Sequence, residues 1–171
     1  MSADDFKRRD LFRVTAGGLL IVGLGRAETP VVFTKEEFAA LEELTETIIP
    51  TDSHSPGAKA AGCAAYMDRQ LAESADEEEK KLWRDGMKAL EDRAHTKFDR
   101  SIAEITPEQR VLLLEEIAKN ETDPKTVGEK FFNRLKHATA FAYYSSSIGI
   151  HKDMEYKGNV YLQEFAGTEV K

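Results

Sequence analysis

Cysteine is almost missing from this chain. Cys63 stands alone among 171 residues, so no internal disulfide can form, and neither a cysteine zinc cluster nor a C-x-x-C redox pair can be assembled. Histidine is sparse as well: His54, His95, His137 and His151 lie far apart, and none has a second His or Cys at metal-ligand spacing. The Gly-rich nucleotide and phosphate motifs are absent, as are G-x-S-x-G and H-E-x-x-H. No uncharged run approaches the roughly 20 residues needed to cross a bilayer. Basic residues are outnumbered, 24 Lys plus Arg against 31 Asp plus Glu, and a net charge of -7 draws the chain to neither nucleic acid nor anionic lipid. What is present, 41% hydrophobic and 32% charged residues, describes one ordinary soluble domain.

The first residues read as an address. Lys7-Arg8-Arg9-Asp10-Leu11-Phe12-Arg13 precedes Val14 to Gly25, twelve uncharged residues that include four glycines. This is the basic region and short apolar region of an export signal, too short for a membrane anchor. Gly25-Arg26-Ala27 is a small-x-small cleavage pattern that would leave Glu28 as the new N-terminus. Arg8 and Arg9 followed by the apolar pair Leu11 and Phe12 resemble a twin-arginine signal, with the aromatic and leucine in inverted order. The alternative is a Sec signal whose basic region holds two arginines, and the modest apolarity after it speaks against that. The twin-arginine route carries folded cargo, commonly with a cofactor inserted, to the periplasm. Losing residues 1–27 removes five basic and three acidic residues and moves the net charge from -7 to -9. About 140 residues then remain, enough to bury roughly two-thirds of the unfolded surface.

The body reads as all-α, a bundle of about five helices over 28–150. Thr34 and Glu37 form a capping box for a helix over 34–49, ended by Pro50. The turn residues Thr51 to Gly57 precede a second helix expected over 58–73. Asp76 caps a third, whose Trp83, Met87, Leu90, Ala94 and Phe98 recur at helical spacing. Thr106-Pro107-Glu108-Gln109 opens a fourth, with Val111, Leu114, Ile117 and Ala118 expected inward and Asn120 at its end. A fifth, over 126–146, carries aromatics on nearly all sides and should be central. Residues 151–171 have no helical stripe and read as an extended arm.

Chemistry is hard to find in this pattern. His54 shares a Ser- and Asp-rich loop with Asp52, which an Asx turn explains without catalysis. The clusters Glu42-Glu43-Glu46 and Glu77-Glu78-Glu79 lack an accompanying E-x-x-H and read as solvated faces. The residues therefore give no catalytic, metal or cofactor site on this chain. In an oxidising compartment Cys63 is either buried and inert or paired with another chain. The small residues around it, Ala60, Ala61, Gly62, Ala64 and Ala65, leave room for the second, an intermolecular disulfide.

Ile48-Ile49-Pro50-Thr51-Asp52, Ser55-Pro56-Gly57-Ala58, Ala61-Gly62, Tyr66 and Asp68 resemble the gluconate 2-dehydrogenase subunit 3 family. Tyr143-Tyr144-Ser145-Ser146, Gly149, Tyr156-Lys157-Gly158-Asn159 and Glu164-Phe165 are similar to its closing pattern. The chain departs from that pattern at Cys63, where an aliphatic residue is usual, and at Ala166, where a proline is. The resemblance implies a non-catalytic small subunit of a periplasmic FAD-dependent, glucose-type sugar dehydrogenase. FAD would sit on a large catalytic subunit of glucose-methanol-choline type, and a multihaem cytochrome c would take the electrons and supply membrane association. The small subunit would provide the export signal and act as escort. Thr51, Asp52, His54, Pro56 and Gly57, with Tyr156, Gly158, Asn159 and Phe165 of the arm, are the expected partner interface. A free-standing periplasmic protein that binds a small ligand is the alternative.

Overall fold

The computed structural model describes residues 30–158. Those residues form five α-helices, α1 (Lys35–Ile48), α2 (Cys63–Glu73), α3 (Glu77–Phe98), α4 (Pro107–Ala118) and α5 (Val127–Tyr144), then a single π-helical turn, Gly149–Asp153. No strand occurs among them, and the all-α bundle is as expected. The leader residues Arg8, Arg9, Leu11 and Phe12, and Asn159 and Phe165 of the arm, lie outside the described residues.

Helix starts follow local chemistry. Thr34, Thr106 and Thr126 each close a reciprocal capping box with the residue three positions on, and Asp76 accepts the amides of Glu78 and Glu79 at 3.0 Å. Glu129 does more than its capping box requires. Its carboxylate also accepts from Asn120 Nδ2 at 2.7 Å and from the Lys125 amide at 2.8 Å, tying the α4–α5 loop to α5. The Asn120 amide, then the two backbone N–H groups, hold its carboxyl at about 2.

The start of α2 differs from expectation. Residues 58–61 make one helical turn that stops at Gly62, where φ is 71°, a conformation that favours glycine. The amide of Cys63 bonds Ala58 O at 3.1 Å and that of Gly62 bonds Lys59 O at 3.1 Å, the two bonds of a Schellman stop. The helix then restarts at Cys63. On α4 the inward face is Arg110, Leu113, Leu114 and Ile117, while Val111, expected inside, is 43% exposed. Arg110 can take the inner place because its guanidinium donates to Ile105 O at 2.7 Å and pairs with Glu43 of α1 at 2.6 Å.

The helix α5 is central, packing against α1, α2, α3 and α4 with Phe131, Leu135, Thr139 and Tyr143 fully buried. Its C-terminal half is not enclosed on all sides: Phe141 is 63% and Tyr144 46% exposed. The closest approach is to α3, where Phe131 lies over Gly86 and meets Trp83 edge-on at 5.3 Å. Where the chain enters the bundle, Asp68 of α2, itself buried, accepts the amides of Val31, Val32 and Phe33 at 2.7, 2.9 and 3.2 Å.

A methyl group at position 86 would sit 2.2 Å from Phe131 Cβ, an atom that no rotamer change can move. Gly86→Ala should therefore lower stability by about 1–3 kcal/mol, outweighing the roughly 1 kcal/mol by which Ala favours helix over Gly. Urea unfolding of the two proteins, with midpoints compared at equal slope, measures it.

Candidate partner interface

The loop between α1 and α2 is built from its own side chains. Pro50 ends α1, and Glu46 in its last turn accepts from the Thr51 amide at 2.8 Å, the Thr51 hydroxyl at 2.7 Å and the Lys59 amide at 2.8 Å. The Thr51 hydroxyl in turn accepts from the Gly57 amide at 2.9 Å. Gly57 is buried against the Glu46 carboxylate, which lies 2.5 Å from where a Cβ would stand. Asp52 makes the expected Asx turn, accepting the amides of His54 and Ser55 at 2.8 Å. The Ser55 amide, then that of His54, lower its carboxyl below the usual range.

Two long-range attachments fix this loop. Tyr143, 1% exposed at the end of α5, donates its hydroxyl to Pro56 O at 2.8 Å and shares a short hydrogen bond with the Ser55 hydroxyl. His54 donates from Nε2 to Asp153 O at 2.9 Å, reaching the π-helical turn. That turn is closed by Met154 N to Gly149 O at 2.9 Å and by Tyr156 N to Ile150 O at 2.9 Å, with Glu155 between them at φ 47°. Residues 149–153 therefore fold back as a turn where an extended arm was expected to begin at 151. Desolvation, then the Asp153 charge, raises the Tyr144 phenol.

The expected interface residues divide accordingly. Thr51, Asp52 and His54 are exposed, as are Tyr156, at 55%, and Gly158, and His54 ties the loop to the turn that precedes these two. Pro56 is half-buried and Gly57 buried, so Gly57 supports the loop from inside and offers a partner no surface. Of the two expectations for Cys63, the structure shows the buried one: a free thiol with 0% exposure at the first residue of α2. Burial, then the Glu46 charge, pushes the thiol up to about 11. A sulfur that nothing outside can touch is not placed for a disulfide to another chain.

Sequence reasoning missed an open groove of about 800 Å³ between α2, α3 and α5, floored by Met67, Leu71 and Trp83. Tyr66 and Phe141 face each other at its rim with ring centroids 6.3 Å apart. Its polar end is already paired, Glu79 accepting from Trp83 Nε1 at 2.7 Å and Arg134 Nε at 2.5 Å. Among the described residues, no three of His, Cys, Asp and Glu are grouped to hold a metal ion, and no helix is long and apolar enough to cross a membrane.

Two measurements check this geometry. Tyr143→Phe removes the hydroxyl that satisfies Pro56 O and Ser55, and should cost about 1–3 kcal/mol in urea unfolding. Cys63 should resist maleimide at neutral pH in the folded protein and react fully in urea; rapid labelling without denaturant would contradict its burial.

No curated protein and no solved structure matches the chain. A family model described as gluconate 2-dehydrogenase subunit 3 matches residues 35–160, from the first residue of α1 past the π-helical turn. The chain belongs to the gluconate 2-dehydrogenase subunit 3 family.

Proposed function

We propose that this chain is the non-catalytic small subunit of a periplasmic FAD-dependent sugar dehydrogenase, glucose-type in its substrate. It supplies the twin-arginine signal under which the complex is exported and escorts the flavin-bearing subunit while that subunit folds. The partner is a large subunit of glucose-methanol-choline type that oxidises the sugar on its flavin, and a multihaem cytochrome c receives the electrons and brings the complex to the membrane. The family membership supports the assignment to a dehydrogenase complex.

One observation carries the choice of surface. Two of the stretches that carry the family resemblance, residues 48–58 and 143–149, meet at the Tyr143–Pro56 hydrogen bond, while Thr51, Asp52 and His54 stay exposed. Loops held this firmly while keeping polar and aromatic side chains exposed are suited to recognition. The escort reading also accounts for a basic leader in front of a domain with no nucleotide motif of its own.

A second reading, a free-standing periplasmic protein that binds a small ligand, draws on the groove under Tyr66 and Phe141, whose size is within the range of ligand pockets. Co-expression with a neighbouring flavin subunit separates the two. Under the escort reading the chain co-purifies with the flavin subunit, and Tyr156→Asp, or truncation after Gly158, weakens that association while leaving the helical circular dichroism intact. Replacing Arg8 and Arg9 by Lys keeps the charge but not the twin-arginine recognition, and should hold both subunits in the cytoplasm. Periplasmic sugar-oxidising activity with an artificial electron acceptor is the readout. Normal activity in the double Lys variant overturns the escort role.

A further inference from the structure

Among the described residues, the His54 side chain hydrogen-bonds from the α1–α2 loop to the C-terminal π-helical turn, and histidine ionises near neutral pH. Asp153 O can only accept, so Nε2 carries the proton in the 2.9 Å bond between them. A neutral imidazole can make that bond, and an imidazolium makes the same bond about twice as strongly. The charged groups that act on the ring are all acidic: Asp153 and Glu155 from the turn and Asp52 from the loop. From α5, Tyr144 brings an uncharged phenol near the Asp153 charge, and His151 and Lys152 of the turn itself are exposed.

We propose that His54 is a proton-operated latch: protonation tightens its hold on the π-helical turn, so that the loop 51–57 and the segment 149–156 become ordered together as pH falls. The turn is suited to such control because it is finely balanced. It is five residues long, and its closing bond from Tyr156 N requires Glu155 at φ 47°, a backbone conformation unfavourable for a side chain of that size. A modest gain at His54 then changes the open fraction measurably.

The direction of the pH effect follows from the titration. The bond to Asp153 O, ahead of the acidic charges, raises the imidazole above 6.5. The charge-assisted contribution is therefore complete below the unfolded value near 6.5 and is lost as pH rises through the higher folded value. The latch is tight in mild acid and slack in mild alkali.

The test uses the full chain alone, so its outcome stands apart from whether a partner binds this surface. Imidazole NMR should give His54 a midpoint above 6.5 that moves down in Asp153→Asn and Glu155→Gln, since both remove a facing charge and neither removes the Asp153 carbonyl. Hydrogen exchange at the Met154 and Tyr156 amides, corrected for intrinsic rates, should lose protection several-fold from pH 5.5 to 8.5. In His54→Gln, which can donate but cannot titrate, that pH dependence should vanish. In His54→Ala protection should be low throughout, and in His151→Gln the dependence should persist. An unchanged pH dependence in His54→Gln, or wild-type protection in His54→Ala, overturns the latch.

Discussion

The hydroxyl of Tyr143 is where the bundle takes hold of its surface. It projects from the end of α5, the helix that packs against all four others, so its position is set by the core. Both of its hydrogen bonds go to one loop, to Pro56 O at 2.8 Å and to the Ser55 hydroxyl. A phenol buried to 1% exposure must keep such partners, because an orphaned hydroxyl there would cost about 1–3 kcal/mol. The loop is thus bound to α5 by the same requirement that keeps polar atoms satisfied anywhere in a core. Glu46 and Thr51 then shape what Tyr143 has anchored, and the outer residues of the loop inherit a fixed orientation without being buried themselves.

How much of this is legible in the sequence depends on how local the cause is. The capping boxes at Thr34, Thr106 and Thr126 were readable because each bond closes within one turn. The Asx turn at Asp52 was readable for the same reason. The stop at Gly62 was hidden inside a run of small residues that suits a helix equally well, and only its left-handed φ distinguishes the two. Apolar periodicity favoured Val111 over Arg110, because the inward arginine depends on Glu43, which lies far away in the sequence. Cys63 shows the same limit, since its burial is a property of the packed bundle. The family resemblance marked the loop over 48–58, yet it could not say that Gly57 would face inward or that His54 would reach Asp153.

The groove under Tyr66 and Phe141 has a related explanation. An aromatic on a helix is assigned to the core by periodicity, and Phe141 continues the spacing of Phe131 and Ala138 closely enough to look enclosed. It stays 63% exposed because the neighbouring helices leave an open cleft beside it. Exposure of this kind is decided by how far apart neighbouring helices stand, which no single helix encodes.

The path of the chain between residues 51 and 68 joins the two ends of the protein. Asp68, at its far end, holds the amides of Val31, Val32 and Phe33, where the segment following the leader meets the domain. His54, at its near end, holds Asp153, from which the C-terminal segment departs. Between them stand only the short turn at 58–61, the Schellman stop at Gly62 and the first residues of α2, all bonded through the backbone. Each described end also has an attachment of its own: Phe33 meets Trp83 of α3 with ring centroids 6.3 Å apart, and Gly149 of the turn packs directly against the Tyr143 carbonyl of α5. What the stretch adds is a hydrogen-bonded path between the two, and that path is short because the Schellman stop turns the chain within a single residue.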